Sequence, residues 1–222
     1  MKDSAIDIAV MITAIDRPEL HQKVYSKYLE YTSNVNCKWI ITINNINNQI
    51  DETIHNINSI FNGYDVHIKP YKSGGQYADW YESVKYCINE AYNSQPKIGY
   101  LWLEDDWLLN SDIKLIDDIK LIDNDNCHIS LHNRIHVSFN PSIWSHEAFN
   151  ELMYKSINNP ESSLGSGHYN KLQTNPERIC CPHPESTNFV KSLKTVSRFK
   201  DVGRNWQKDK LNNSKTYNIK IK

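Results

Sequence analysis

Apolar runs and amphipathic stretches alternate along the first half of the chain. DIAVMITA (residues 7–14) is apolar after its first residue, as a strand covered on both faces must be. RPELHQKVYSKYLEYTS (17–33) follows, with Pro18 suited to a first helical turn and Leu20, Val24, Tyr28 and Tyr31 along one face. KWIITIN (38–44) reads as a second strand. QIDETIHNINSIFNG (49–63) places Ile50, Ile54, Ile57 and Phe61 at helical spacing, and Gly63 fits a C-terminal cap. YDVHIKPY (64–71) is a third strand. QYADWYESVKYCINEAYN (76–93) is a third amphipathic helix through Tyr77, Trp80 or Tyr81, Val84, Ile88 and Ala91, and IGYLWL (98–103) a fourth strand.

Strands alternating with helices through short connections predict a parallel sheet covered on both faces. Ligands of such sheets bind outside the carboxyl ends of the strands. At that end of the fourth strand stand Glu104, Asp105 and Asp106, three adjacent carboxylates that repel one another unless something positive sits among them.

Beyond residue 110 the rhythm breaks. SDIKLIDDIKLID (111–123) predicts a short helix with Ser111 as its N-cap. HISLHNRIHV (128–137) alternates Ile129, Leu131, Ile135 and Val137 at period two, as in a half-buried or mixed-sheet strand. NPSIWSHEAFNELM (140–153) reads as a turn into a helix, while SSLGSGHYN and CCPHPEST are loop-rich. No internal repeat or linker divides the chain.

Composition narrows the function classes. A chain of 222 residues fits one domain with an appended C-terminal segment, and it buries enough surface to need no disulfide or zinc staple. The net charge of −1, with acids and bases mixed, points away from nucleic acid and from an anionic membrane surface. Six Trp and thirteen Tyr are many; cores take up most such rings, and sugar-handling sites use others as stacking surfaces. Cys37, Cys87, Cys127, Cys180 and Cys181 form no regular framework, which fits a reducing compartment. No stretch approaches the ~20 apolar residues of a membrane span. IDIAVMITAI carries Asp7 and reads as a first strand instead of a signal peptide, so the expectation is a soluble, cytoplasmic protein.

Hard divalent cations such as Mn2+ or Mg2+ take oxygen ligands, often one or two carboxylates completed by phosphate oxygens. The acids after strand four therefore fit a metal paired with a diphosphate. Other motifs fail on their own terms. CCPHPE lacks a second ligand pair at zinc spacing, and DNDNCHISLHNR has His128 and Arg134 where a calcium loop needs Gly and Glu. The glycine patterns of dinucleotide-binding and P-loop sites do not occur.

Residues 6–110 resemble the GT-A fold glycosyltransferases, the nucleotide-diphospho-sugar transferases, and among them the small family 2 type. The resemblance lies in TAIDRPEL after strand one, NN after strand two, SGGQYADWYESV before the third helix, and LWLEDDW where that family carries its D-x-D metal motif. It implies a GT-A-like, mostly parallel α/β sheet with helices on both faces and a mixed C-terminal part. A single domain would run over 1–205, with a nucleotide-sugar half at 1–110, an acceptor half at 111–205 and a tail at 206–222. The implied reaction moves a sugar from a nucleotide-diphosphate donor, a UDP-sugar foremost, to a hydroxyl of a glycan or other acceptor with Mn2+ or Mg2+.

The same resemblance implies roles by position. Asp106 would be the principal metal ligand, and Asp105 would contact metal or ribose beside Glu104. Thr13, Asp16 and Arg17 would line the nucleotide pocket with Asn44 or Asn45, which replace the family's common Asp. Gly74 and Gly75 would admit ribose or diphosphate, with Asp79 one helical turn further on. Glu161 aligns with the acceptor-side E-D pair, although Ser162 stands in place of its Asp. An inverting transferase needs a carboxylate to take the acceptor's proton, and Glu161 is the base expected here, with Asp201 and Glu185 next. In RFKDVGRNW, Asp201 stands where the family often has a metal-binding histidine, and Arg204 would bind phosphate. A nucleotidyltransferase on a related fold and a catalytically silent nucleotide- or glycan-binding module are the alternatives. The first would want a Gly-rich, Lys-bearing loop where TAIDRPEL stands.

Overall fold

The structure is a computed structural model, and it describes residues 5–71, 77–123, 128–132, 141–150 and 193–203. Strand β1 (Ile8–Ile15), helix α1 (Pro18–Thr32), β2 (Cys37–Asn44), α2 (Ile50–Ile60), β3 (Asp65–Tyr71), α3 (Tyr77–Asn93) and β4 (Gly99–Glu104) follow one another as the periodicity predicts. Four strands pair in parallel in the order β3-β2-β1-β4.

Three short strands extend that sheet. β7 (Ser142–Trp144) pairs antiparallel with β4, and β6 (His128–Ser130) lies next to β7 and beside β8 (Leu193–Thr195), giving seven strands among the described residues. Gly99 permits the β4–β7 approach, because a Cβ there would stand 2.5 Å from the carbonyl oxygen of Trp144. β5 (Trp107–Leu109) and β9 (Phe199–Asp201) form a separate antiparallel pair.

The continuous apolar strands are explained by two cores. Ile8, Val10, Ile12 and Ala14 of β1 point to one face with Trp39, Ile41 and Ile43 of β2 and Leu101 and Leu103 of β4. Leu20, Val24, Tyr25, Tyr28 and Tyr31 of α1, with Ile50 and Ile57 of α2, cover that face. Ala9, Met11, Ile40, Tyr100 and Trp102 point the other way, beneath Val84, Cys87, Ile88 and Ala91 of α3. Each large apolar side chain buried here stabilises the fold by about 1.5–3 kcal/mol relative to exposure. Phe61 anchors the first core edge-on to Trp39 and Tyr25, at 4.8 and 5.6 Å between ring centres.

Departures from the sequence reading begin at Trp107. Helix α4 covers Leu115–Ile119, with Lys114 as N-cap in place of Ser111, whose hydroxyl is buried without a hydrogen bond among the described residues. SIW forms strand β7 where a turn was expected, and β5, β8 and β9 were not anticipated. Among the described residues no helix is long and apolar enough to cross a membrane.

Candidate functional site

The parallel strands end together, and Thr13, Asp16, Arg17, Asn44, Asn45 and Glu104–Asp106 lie at or just beyond their carboxyl ends. Thr13 of β1 lies opposite Glu104 of β4 in register, and Ile15 lies opposite Asn44 of β2. Thr13 is fully buried, and its hydroxyl finds no hydrogen-bond partner among the described residues. Asn44 is held from both sides: its amide donates to the Ala14 carbonyl at 3.4 Å and accepts from Ser83 of α3 at 3.0 Å.

Asp16 leaves β1 fully buried and collects three backbone N–H groups. Ile46 and Asn47 donate to Oδ1 at 2.6 and 2.7 Å, and Gln49 donates to Oδ2 at 2.7 Å. Its carboxylate thus shapes the β2–α2 loop. Asn45, Asn48 and Gln49 from that loop and the first turn of α2 line an open hollow of about 330 Å3.

Arg17 is the N-cap of α1, and Pro18 opens the helix behind it. The guanidinium meets Asp105 in a fork, Nε to Oδ2 at 2.8 Å and NH2 to Oδ1 at 2.6 Å, and NH2 also reaches Asp106 Oδ2 at 3.2 Å. His21 Nε2 stands 3.1 Å from Asp105 Oδ2, and the Ile15 N–H donates to the same oxygen at 3.2 Å. Burial alone would raise the Asp105 pKa, but the Arg17 charge and the His21 and Arg17 hydrogen bonds prevail and hold it well below the usual carboxylate range. Both Asp105 oxygens are therefore taken by protein donors. In this arrangement Asp105 fixes Arg17.

Asp106 is placed differently. Its side chain keeps 27% of its surface exposed, and its pKa is pushed up to about 6 by burial first, then by the Asp105 and Asp201 charges, against the pull of Arg17. Asp201 reaches this place through the β5–β9 pair, in which it lies opposite Trp107. The Val202 N–H donates to the Asp106 carbonyl at 2.8 Å, and the Gly203 N–H to Asp201 Oδ1 at 3.0 Å. Beneath the acids, the Tyr28 hydroxyl bridges the carbonyls of Glu104 and Trp107, 2.6 Å from the latter, and so pins the whole turn to α1.

Three contributors escaped the sequence reading: His21, Tyr28 and Gly203. For two of them a signal existed. Arg17, His21 and Tyr28 are spaced by four and seven residues, which sets them along one stripe of a helix facing the acids. Gly203 has no such local signature. Gly74, Gly75, Glu161, Glu185 and Arg204 lie outside the described residues, as does the side chain of Asp79, whose backbone belongs to α3.

Among the described residues no group of three or more His, Cys, Asp or Glu is arranged to hold a metal by itself. The chemistry of the acid cluster still fits a hard divalent cation. Arg17 neutralises about one charge among Asp105, Asp106 and Asp201, and the negative charge left over adds to burial in raising the Asp106 pKa. Asp106 and Asp201 would offer two carboxylates, a number such a cation can take when phosphate completes its shell.

No protein-family model matches the sequence, and neither does any curated protein. Solved structures do match the fold. The mannosyltransferase PcManGT from Pyrobaculum calidifontis, in complex with GDP-Man and Mn2+, aligns with a TM-score of 0.53 at 9% identity, over 88% of this chain and 57% of that one. S. aureus TarS 1-349 in complex with UDP aligns with a TM-score of 0.57 at 8% identity, over 87% and 60%. The chain thus spans about three fifths of the length of those two structures. Its α/β architecture, a mostly parallel sheet flanked by helices, is of the GT-A type.

Proposed function

We propose that this GT-A-fold protein is a glycosyltransferase that moves a sugar from a nucleotide-diphosphate donor to an acceptor hydroxyl with the help of Mn2+ or Mg2+. The observation that carries the reading is the place of Asp106. It stands at the carboxyl end of β4, part-exposed, with Asp201 brought alongside by β5–β9 and its pKa lifted to about 6. A carboxylate so disfavoured as an anion has an electrostatic reason to take up a cation. The GDP-Man, Mn2+ and UDP named for the fold relatives support the same ligand class.

In this reading Asp106 and Asp201 hold the metal, and Asp105 does not. When bound, the cation would neutralise the diphosphate leaving group. Arg17, clamped by Asp105, presents fixed positive charge at the edge of the same site. Asn45 borders the nucleotide pocket, buried Thr13 and Asn44 lie behind it, and Asp16 acts on it indirectly by holding residues 46–49. Gly74 and Gly75 with Asp79 remain proposed for the ribose and diphosphate, Arg204 for phosphate, and Glu161 for the proton of the acceptor hydroxyl. A UDP-sugar is the first donor to try.

Thermal melts of the full chain against UDP-, GDP- and dTDP-sugars, each with and without Mn2+, test the proposal. A ligand at a hundred times its Kd stabilises by about 2.7 kcal/mol, and that shift should appear with one base and require metal. Slow metal-dependent hydrolysis of the same donor should accompany it, because a transferase leaks to water. Binding without hydrolysis or transfer would make the protein a silent binding module, and no binding to any of the donors would overturn the reading.

A further inference from the structure

We infer that Gly203 is a positioning residue of the acid site: its lack of a side chain lets the chain after β9 close against Asp106 and set that carboxylate, with Asp201, toward the metal. This rests on the reading of Asp106 as a metal ligand.

The geometry is specific. A Cβ built on Gly203 would lie 2.7 Å from both Cβ and Cγ of Asp106 and nearer still to Oδ2. Turning the carboxylate about its bonds does not relieve this, because Asp106 Cβ is itself in the way. Nor can the backbone retreat cheaply: the Val202 N–H bonds the Asp106 carbonyl at 2.8 Å, and Trp107 pairs with Asp201 one residue further on. The backbone conformation of Gly203 does not call for glycine, since among the described glycines positive φ occurs at Gly63 alone. Space against Asp106 is the reason for glycine here.

The same residue touches the second acid. The Gly203 N–H donates to Asp201 Oδ1 at 3.0 Å, so one peptide both packs on Asp106 and orients Asp201. Arg17 Nη2 holds the same Asp106 oxygen, Oδ2, at 3.2 Å. Asp106 is thus in contact with both a cation and a backbone, and a methyl group at position 203 would displace it from that position. Overpacking at a fixed contact of this kind costs about 10- to 100-fold in the equilibrium it perturbs.

The test compares Gly203→Ala with the wild type in the full chain. Mn2+ binding is read from the loss of the free-ion EPR signal, with and without UDP, and folding from thermal melts. Wild type should bind Mn2+ in the presence of UDP, and Gly203→Ala should bind it about 10- to 100-fold more weakly. Equal Mn2+ affinity in a folded Gly203→Ala protein would overturn the inference and leave the proposed function standing. Failure of the wild type to bind Mn2+ would overturn the metal reading and the inference with it. Should Gly203→Ala melt early, the double variant with Asp106→Gly decides. The penalty of the alanine should disappear once the Asp106 side chain is gone, and a penalty of the same size in both backgrounds would refute the contact as its cause.

Discussion

Arg17 and Asp105 form a two-point ion pair in which both side chains are at most 4% exposed. Burial alone would lower the Arg17 pKa, but the Asp105 and Asp106 charges outweigh it and raise it. The planar guanidinium suits this site because its fork matches one carboxylate while NH2 still reaches a second. Such a pair is a poor source of net stability, but breaking it leaves a buried charge without compensation.

Replacement of Arg17 by alanine should therefore destabilise the protein by about 3–5 kcal/mol. Urea titration followed by fluorescence measures this directly. Lysine should recover part of the loss, since one ammonium cannot make both contacts of the fork. An unchanged midpoint in Arg17→Ala would show that Asp105 is neutralised by some other group.

His21 is the second holder of Asp105, fully buried and stacked on Tyr25 at 4.8 Å between ring centres. Changing it to phenylalanine keeps the ring and removes the hydrogen bond. We expect a loss of about 1–3 kcal/mol, the cost of leaving a charged buried acceptor short of one donor. Equal stability of His21→Phe and wild type in urea would assign the ring to packing alone.

Asp106 gives a pH signature. Its folded pKa of about 6 lies above the ordinary carboxylate value, so ionisation opposes the native state. The penalty is absent in acid, grows as pH rises from about 4, and is complete above about 6. Asp106→Asn removes it, so without metal the variant should gain on the order of 1–3 kcal/mol over wild type at pH 7, with the gap narrowing toward pH 4. Asp105 runs the other way: its pKa is lowered, and its stabilising contribution fades only as pH falls through the acid range. Paired thermal melts across pH 4–8 check the sign, and a variant less stable than wild type at pH 7 would contradict it.

Asp16 predicts a local effect. With its side chain cut to alanine, the N–H groups of Ile46, Asn47 and Gln49 lose their acceptor. Hydrogen exchange at those three amides should speed up by about tenfold or more, while β1 and β4 stay protected. Protection unchanged at residues 46–49 would mean that the loop is held by other bonds.

The first half of the fold was legible because its elements are long. Eight residues of β1 and fifteen of α1 display their periods plainly, and both periods point to one core. The strands among the described residues after β4 are three residues long, too short to show a period by themselves. Ser142–Trp144 is a strand because β4 offers it an edge, and nothing within those residues says so. The site divides in the same way. Glu104, Asp105 and Asp106 stand out as a run of charge after an apolar strand. Yet the sequence cannot say which carboxylate faces a buried arginine and which faces water. That split depends on Arg17 and His21 arriving at Asp105 and on β9 arriving at Asp106. Gly203 was invisible for the same reason, since its requirement comes from a residue nearly a hundred positions away.

Asp118 is fully buried, bonded by the Tyr31 hydroxyl at 2.8 Å and by Arg198, whose Nε and NH2 both lie 3.0 Å from its Oδ1. The ribosome makes these partners far apart in time. A nascent chain that has emerged as far as α4 already carries Tyr31, Arg17 and Asp105, and it can close the first clamp. It must hold Asp118 without its counter-charge, and Asp106 without the wall of β9, until Arg198 and Gly203 follow. Docking of β8 and β9 is thus the step that completes both the edge of the sheet and the acid cluster.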